Sequence, residues 1–432
     1  MAAEQCNEVA QAPDDDPPAD DLGHPAMSAP RTWTVLAALA LAELLGMGLW
    51  FSATAVAPAL QTHWQVTPAQ AAWLTMSVQL GFVAGALGSA LLNVPDRWAP
   101  RKVVAAGAWV GAALNAMIPL LDASFGPAVA LRFGTGMALA LVYPVGMKIM
   151  ATWTVQDRGL GLGMLVGALT IGTASPHLVR AFGGIAAWQP VMLAMSVLAV
   201  AGGAIAWRFG HLGPHRSPVP PFQWRQVTEA MRQRSLRLAN TGYLGHMWEL
   251  YAMWTWIPAY LLDVYGAHPN TRGSAPFLAS LVTFMVIAAG GIGSLLAGGL
   301  ADRWGRCNTT MLSMIVSGGC AVLIGTAGLG RPGLASAIAL VWGFAIVADS
   351  AQFSTSVSEL AAPGYMGTQL TTQTSMGFLL TLGSIQLVPV LRESFGWSVA
   401  FGMLALGPLV GSWSMFLLRR SPDASRLAGG RG

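Results

Sequence analysis

The sequence predicts an all-α polytopic membrane protein, with twelve transmembrane helices in two six-helix bundles related by a pseudo-two-fold axis. Three observations predict it. Of 432 residues, 54% are hydrophobic and only 10% charged, against about 25% charged in a soluble domain. Mean hydropathy is +0.54, which one buried core cannot produce over this length, so many segments must be solvated by lipid. A window of about 20 residues, enough to cross a bilayer as a helix, finds apolar segments that fall into two sets repeating one another.

Residues 1–30 hold seven acids and no base and are rich in Pro, Ala and Asp, the composition of a disordered tail. They lack the basic start and apolar core of a signal peptide. Six spans follow within 31–207, near 33–60, 70–94, 102–121, 127–150, 160–180 and 186–207. Gly and Pro inside them are compatible with membrane helices. Residues 208–237 form a polar, Pro-rich basic linker. Six more spans lie within 238–420, near 238–262, 275–300, 309–329, 333–356, 367–391 and 397–418, before a tail at 421–432.

Basic residues set the expected orientation. With both termini in the cytoplasm, cytoplasmic segments hold 17 Lys or Arg, six of them in the linker, and outer loops hold Arg180, Arg272, Arg331 and Arg392. That asymmetry fits a multi-pass protein of the cell (inner) membrane obeying the positive-inside rule. The linker then reads as a topology anchor near anionic lipid, and the expected partners are the bilayer and a small-molecule substrate, not nucleic acid. A monomer is expected. Cys6, Cys307 and Cys320 are scattered, without the spacing of a disulfide framework or a zinc site.

The repeat is explicit. GSALLNVPDRW (88–98) and GSLLAGGLADRW (293–304) place their DRW triplets 206 positions apart. The same offset carries Glu43, Leu44, Met47 and Trp50 onto Glu249, Leu250, Met253 and Trp256. A second echo, at offset 213, joins Pro176 and Phe182-Gly183 to Pro389 and Phe395-Gly396. Six helices per half keep both copies in one orientation, the plan of a parallel-repeat secondary transporter.

On these residues the chain, over about 31–420, resembles the major facilitator superfamily. GGLADRWGRC (298–307) is similar to the family's signature in the loop after the second helix of a half, with Gly298, Asp302, Arg303, Gly305 and Arg306 in place. The first-half copy is worn: Leu92 replaces the glycine, while Asp96, Arg97 and Arg101 remain. RFGTGMALALVYP (132–144) resembles the fourth-span motif. The resemblance implies that the loop carboxylates and arginines favour the state closed to the cytoplasm. In physical terms, Asp96 or Asp302 can face the positive N-terminus of a neighbouring helix, and the arginines can pair with acids across the gap between bundles. An ordinary topology-setting loop is the plainer reading.

A charge at the bilayer centre is costly, about 2.5–3.5 kcal/mol on insertion scales, so it faces the protein interior. The candidates are Glu43, Arg132, Lys148, Glu249 and Asp349, with His177 and His246 beside them. Seven steps at about 100° fall about 20° short of two turns, so Glu43, Met47 and Trp50 share a helix face, as do Glu249, Met253 and Trp256. In the resembling family spans 1 and 7 line the central cavity, which implies two carboxylates facing a shared cavity, with a tryptophan above each. His246 lies on nearly the same face as Glu249. Two readings stand for the glutamates: proton coupling, or bracing of a helix pair. An HxxE pair is too few ligands for a metal.

Arg132 and Lys148, sixteen residues apart on span 4, lie about 24 Å apart on nearly opposite faces of an unkinked helix, so they cannot clamp one small anion. Arg132 is the expected cavity residue by resemblance; Lys148 is either that or a cytoplasmic-end anchor. Asp349 and Gln352 lie in the inner half of span 10, and GTQLTTQTS (367–375) opens span 11 as a polar lining or as helix–helix glue. The glycines 81, 85, 88 and 290, 291, 298 suit close packing.

The expectation is a non-enzymatic, cofactor-free secondary active transporter of a small organic ion or solute, with protons as coupling ion. Sequences of this look are loosely grouped with nitrate/nitrite porters, but spans 2 and 8 carry no arginine and span 5 lacks a Gly-Asn-Gly signature. The alternatives are an inorganic-anion porter or a transporter-like sensor without flux.

Overall fold

A computed structural model of the chain describes residues 29–154, 158–183, 187–215, 224–362 and 365–432. The acidic tail, apart from its last residues, and the core of the linker lie outside these, as do the side chains of Asp96 and Arg158. The described residues are helical, with no strand among them.

Span 1 is Ala29–Ala55, span 2 Trp73–Leu91 and span 3 Pro100–Leu120. Span 4 is broken into Phe125–Leu139 and Tyr143–Trp153, where Pro144 cannot continue the preceding helix. Spans 5 and 6 are Arg158–Gly183 and Gln189–Phe209. A short helix, Trp224–Arg232, leads into span 7, Arg234–Ala267. Spans 8 and 9 are Ala275–Trp304 and Arg306–Thr326. Span 10 is broken like span 4, into Pro332–Ala348 and Ser350–Leu360 around Asp349. The helix Met366–Gly402 contains Gly396 at φ 79°. Residues before that break form span 11; those after it, with Leu406–Arg419, form span 12.

Nine stretches among the described residues are long and apolar enough to cross a membrane, and one of them, Met366–Arg419, holds two spans. Spans 5 and 7, of 26 and 34 residues, pack in the same bundles and complete the twelve.

Glycine fixes the closest crossings. A Cβ on Gly136 would lie 2.0 Å from the Val78 carbonyl, and one on Gly81 1.9 Å from that of Phe133, so spans 2 and 4 touch backbone to backbone. Spans 8 and 10 repeat this, with Gly343 at 2.0 Å from the Val286 carbonyl. Small residues allow such approach where lipid offers no hydrophobic drive. Of the glycine rows, Gly85 and Gly290 also meet neighbouring backbone, whereas Gly88 and Gly298 face open space. The bundles meet along spans 5 and 8, where Gly291 would bring a Cβ to 3.1 Å from the Gly167 carbonyl. They meet again along spans 2 and 11, where Thr381 donates to Gln79 at 2.9 Å.

Candidate functional site in the seam between the bundles

The centre of the seam is a layer of rings. Trp50 of span 1 lies 5.1 Å from Phe82, 5.9 Å from Tyr251 and 5.3 Å from Phe378, centroid to centroid. Phe51 meets Trp254 at 5.8 Å. Spans 1, 2, 7 and 11 thus close on one another through these rings, and Trp50, Phe51, Phe82 and Trp254 are buried. The indole N–H groups of Trp50 and Trp254 have no hydrogen-bond partner, nor does the Gln79 amide nitrogen or either polar atom of the Gln373 amide. Buried donors without partners are uncommon.

Span 7 contributes to this layer through Tyr251 and Trp254. The Glu249–Met253–Trp256 stripe points elsewhere. Trp256 donates to the Ile385 carbonyl at 2.9 Å and lines a crevice with Thr54, Thr75, Arg180 and Thr255. Glu249 accepts from Ser317 of span 9 at 2.9 Å and from Trp342 of span 10 at 2.8 Å. It is turned into the second bundle, not toward a cavity shared with Glu43. The expected pair of cavity-facing carboxylates is corrected on this point, because span 7 is buried on all sides and carries two stripes of helical period.

Glu43 has the equivalent position without the equivalent partners. Counting back 206 residues from Ser317 and Trp342 reaches Gly111 and Gly136, neither of which has a side chain to donate. One Glu43 oxygen lies where a Cβ on Gly146 of span 4 would be 3.2 Å away; the other is buried with no partner.

His246 Nδ1 lies 2.8 Å from the Asp349 carboxylate, with both side chains buried. The pair sits where span 10 breaks and ties it to span 7, beside Phe353. Offset by 206, the first half has Ala40 and Tyr143 instead.

Arg132 is not a cavity residue. It donates to the carbonyls of Leu49, Trp50 and Leu74, to Ser52 and to Asn115, four of these at 2.7–3.1 Å. Its guanidinium is consumed in tying span 4 to spans 1, 2 and 3, on carbonyls near the negative end of span 1. Lys148, half-buried, lies beyond the break in span 4.

The loop arginines also pair differently from the expectation of contacts across the gap between bundles. Arg306 binds Glu359 at 2.8 Å, Asp302 at 3.3 Å and Gln352 at 2.8 Å, all in the second half. Gln352 is therefore an anchor for this arginine rather than a lining residue. Arg101 meets His211 at 2.9 Å in the first half. Arg97 and Arg303 are exposed, and Gly305 has φ 96°.

A family model described as Major Facilitator Superfamily matches residues 39–385. The chain belongs to that superfamily. Among solved structures, it is similar to a bacterial homolog of the human lysosomal transporter Spinster, described as inward-facing and unoccupied. The match has a TM-score of 0.65 and 14% identity over 91% of this chain and 98% of the other, a likeness of fold alone. No curated protein matches the sequence significantly.

As a member of the Major Facilitator Superfamily the protein is a multi-pass membrane solute transporter rather than an enzyme. The nitrate/nitrite grouping gains no support from these comparisons. Among the described residues, no three His, Cys, Asp or Glu side chains gather as a metal site would require. What sequence reasoning missed is the ring layer: Phe51, Phe82, Tyr251, Trp254 and Phe378. A signal was present, since Tyr243, Met247, Tyr251 and Trp254 step by four, four and three, but an apolar stripe on an apolar helix does not stand out.

Proposed function

We propose that this protein moves a small organic cation across the membrane by alternating access, in exchange for protons that bind Glu43. The observation that carries this reading is the Glu43 carboxylate, buried at mid-span with an oxygen that no donor meets. A buried carboxylate without a partner is unfavourable as an anion, so it favours either a proton or a cationic ligand. One carboxylate that can hold only one of the two gives exchange. The ring layer, about two helical turns from it along span 1, offers aromatic faces, which attract cations, and unpaired indole groups for orientation. The guanidinium that could hold an anionic cargo is already committed to backbone carbonyls.

The test is flux on protein reconstituted in liposomes, read as uptake of labelled compound together with the internal pH reported by an enclosed dye, because exchange of one monovalent cation for one proton moves no net charge. Quaternary ammonium and guanidinium compounds are compared with carboxylates of similar size, with and without an imposed pH difference. Cation uptake that is matched by proton exit, and that grows when the interior is made acidic, is expected. Uptake of carboxylates alone, or cation uptake indifferent to the pH difference, would overturn the reading.

A further inference from the structure

The segment after span 12 folds back on the cytoplasmic gate loop of its own bundle. Pro422–Gly429 forms a 3-10 turn whose Leu427 is fully buried. The Ala428 N–H donates to Glu359 at 3.1 Å, and Arg426 donates to the Glu359 carbonyl at 3.1 Å. Arg431 donates to the Asp302 carbonyl at 2.5 Å. Asp423 accepts from Ser235 at the start of span 7. A Cβ on Gly305 would lie 2.1 Å from the Arg431 carbonyl, so this loop glycine leaves room for the segment. Twelve residues thereby join the ends of spans 7, 8 and 10. Ala428 holds a left-handed conformation, φ 47°, which a non-glycine residue adopts only when surrounding contacts impose it.

The first half repeats the arrangement. After span 6, Gly213 and His215 donate their N–H groups to Thr152 at the end of span 4, at 2.7 and 3.1 Å. Trp153 donates to the His211 carbonyl at 2.8 Å, and the His211 ring meets Arg101. In both halves, the segment leaving the last span returns to the end of the fourth and is tied to the arginine loop. The bonds themselves are different residues with different chemistry, so a shared placement, not a shared sequence motif, is what recurs.

The geometry points to a regulatory role: residues 421–432 are a strap that restrains the 302–306 loop and brakes alternation of the bundles. Glu359 serves the Arg306 pair and the strap at once, and Asp302 serves Arg306 through its carboxylate and the strap through its carbonyl. The loop cannot re-pair while the strap is seated.

The test uses the full chain with Cys6, Cys307 and Cys320 replaced and a single cysteine at Leu427, or at exposed Ser425 as control. In liposomes, N-ethylmaleimide should modify Leu427→Cys at least about tenfold more slowly than Ser425→Cys; equal rates overturn the strap. The double change Arg426→Ala with Arg431→Ala should bring the two rates together, and lysine at both positions should restore part of the protection. Spin labels at Trp98→Cys and Trp304→Cys then read the separation of the two loops, with Leu427 intact. Releasing the strap should change the weights of the distance distribution by at least about threefold. An unchanged distribution would make the segment inert packing and overturn the brake.

Discussion

Trp342 donates its indole N–H to the Glu249 carboxylate at 2.8 Å, and glycine occupies the position of that tryptophan in the first half, at Gly136. Two carboxylates related by the internal repeat are therefore held in opposite ways. One is fixed by two donors; the other has a bare oxygen.

Glu249→Ala would strand the buried Trp342 indole N–H, an unpaired group costing about 1–3 kcal/mol, and leave Ser317 only its Met314 carbonyl. The melting midpoint in detergent should fall by several degrees, while Glu249→Gln, which keeps an acceptor, should lose much less. An unchanged midpoint in the alanine variant would remove Glu249 from the framework of the second bundle.

Glu43→Gln should cut both flux driven by a pH difference and cargo-for-cargo exchange by about tenfold or more, because a neutral amide neither loads a proton nor supplies the charge that holds the cation. Glu249→Gln should still respond to the gradient. Liposome flux with and without the gradient separates the two, and the reverse pattern would return the coupling role to Glu249.

Arg132→Lys should not be tolerated as a conservative change. Lysine is a point donor and cannot reproduce a planar fork that reaches the carbonyls of Leu49, Trp50 and Leu74 together. The expected result is loss of monodisperse protein on size exclusion. A well-folded lysine variant with altered cargo affinity would instead place Arg132 at the cargo.

Gly136→Ala should disrupt the crossing of spans 2 and 4, since its Cβ would sit 2.0 Å from a carbonyl oxygen, whereas Gly88→Ala meets nothing within 4 Å. Overpacking of this kind costs about 1–3 kcal/mol or more. Thermal melts of the two variants side by side decide it, with a loss at 136 and none at 88 expected.

Much of the architecture was legible. Hydropathy placed the helices within a few residues, and the 206-residue repeat located Glu43 and Glu249 as equivalents. The orientation of span 7 was not, because Leu250 to Ile257 are all buried and periodicity cannot rank one buried face over another. The partners of Arg132 were invisible because three of them are main-chain carbonyls, which every residue has. The fate of 421–432 was hidden for a different reason: a short polar segment reads as solvated unless its one large apolar residue, Leu427, is known to have a socket.

Arg132 has an electrical consequence. None of its hydrogen-bond partners is a carboxylate, so the first bundle carries a fixed positive charge within the membrane field. Moving one elementary charge through the full potential is worth about 2.3 kcal/mol per 100 mV. Under the proposed exchange, the charge state of Glu43 on the neighbouring span 1 would set whether that bundle is pulled or left indifferent when it rocks. Voltage and proton occupancy would then act on the same moving body, and that proposal carries the expectation that turnover depends on membrane potential as well as on pH.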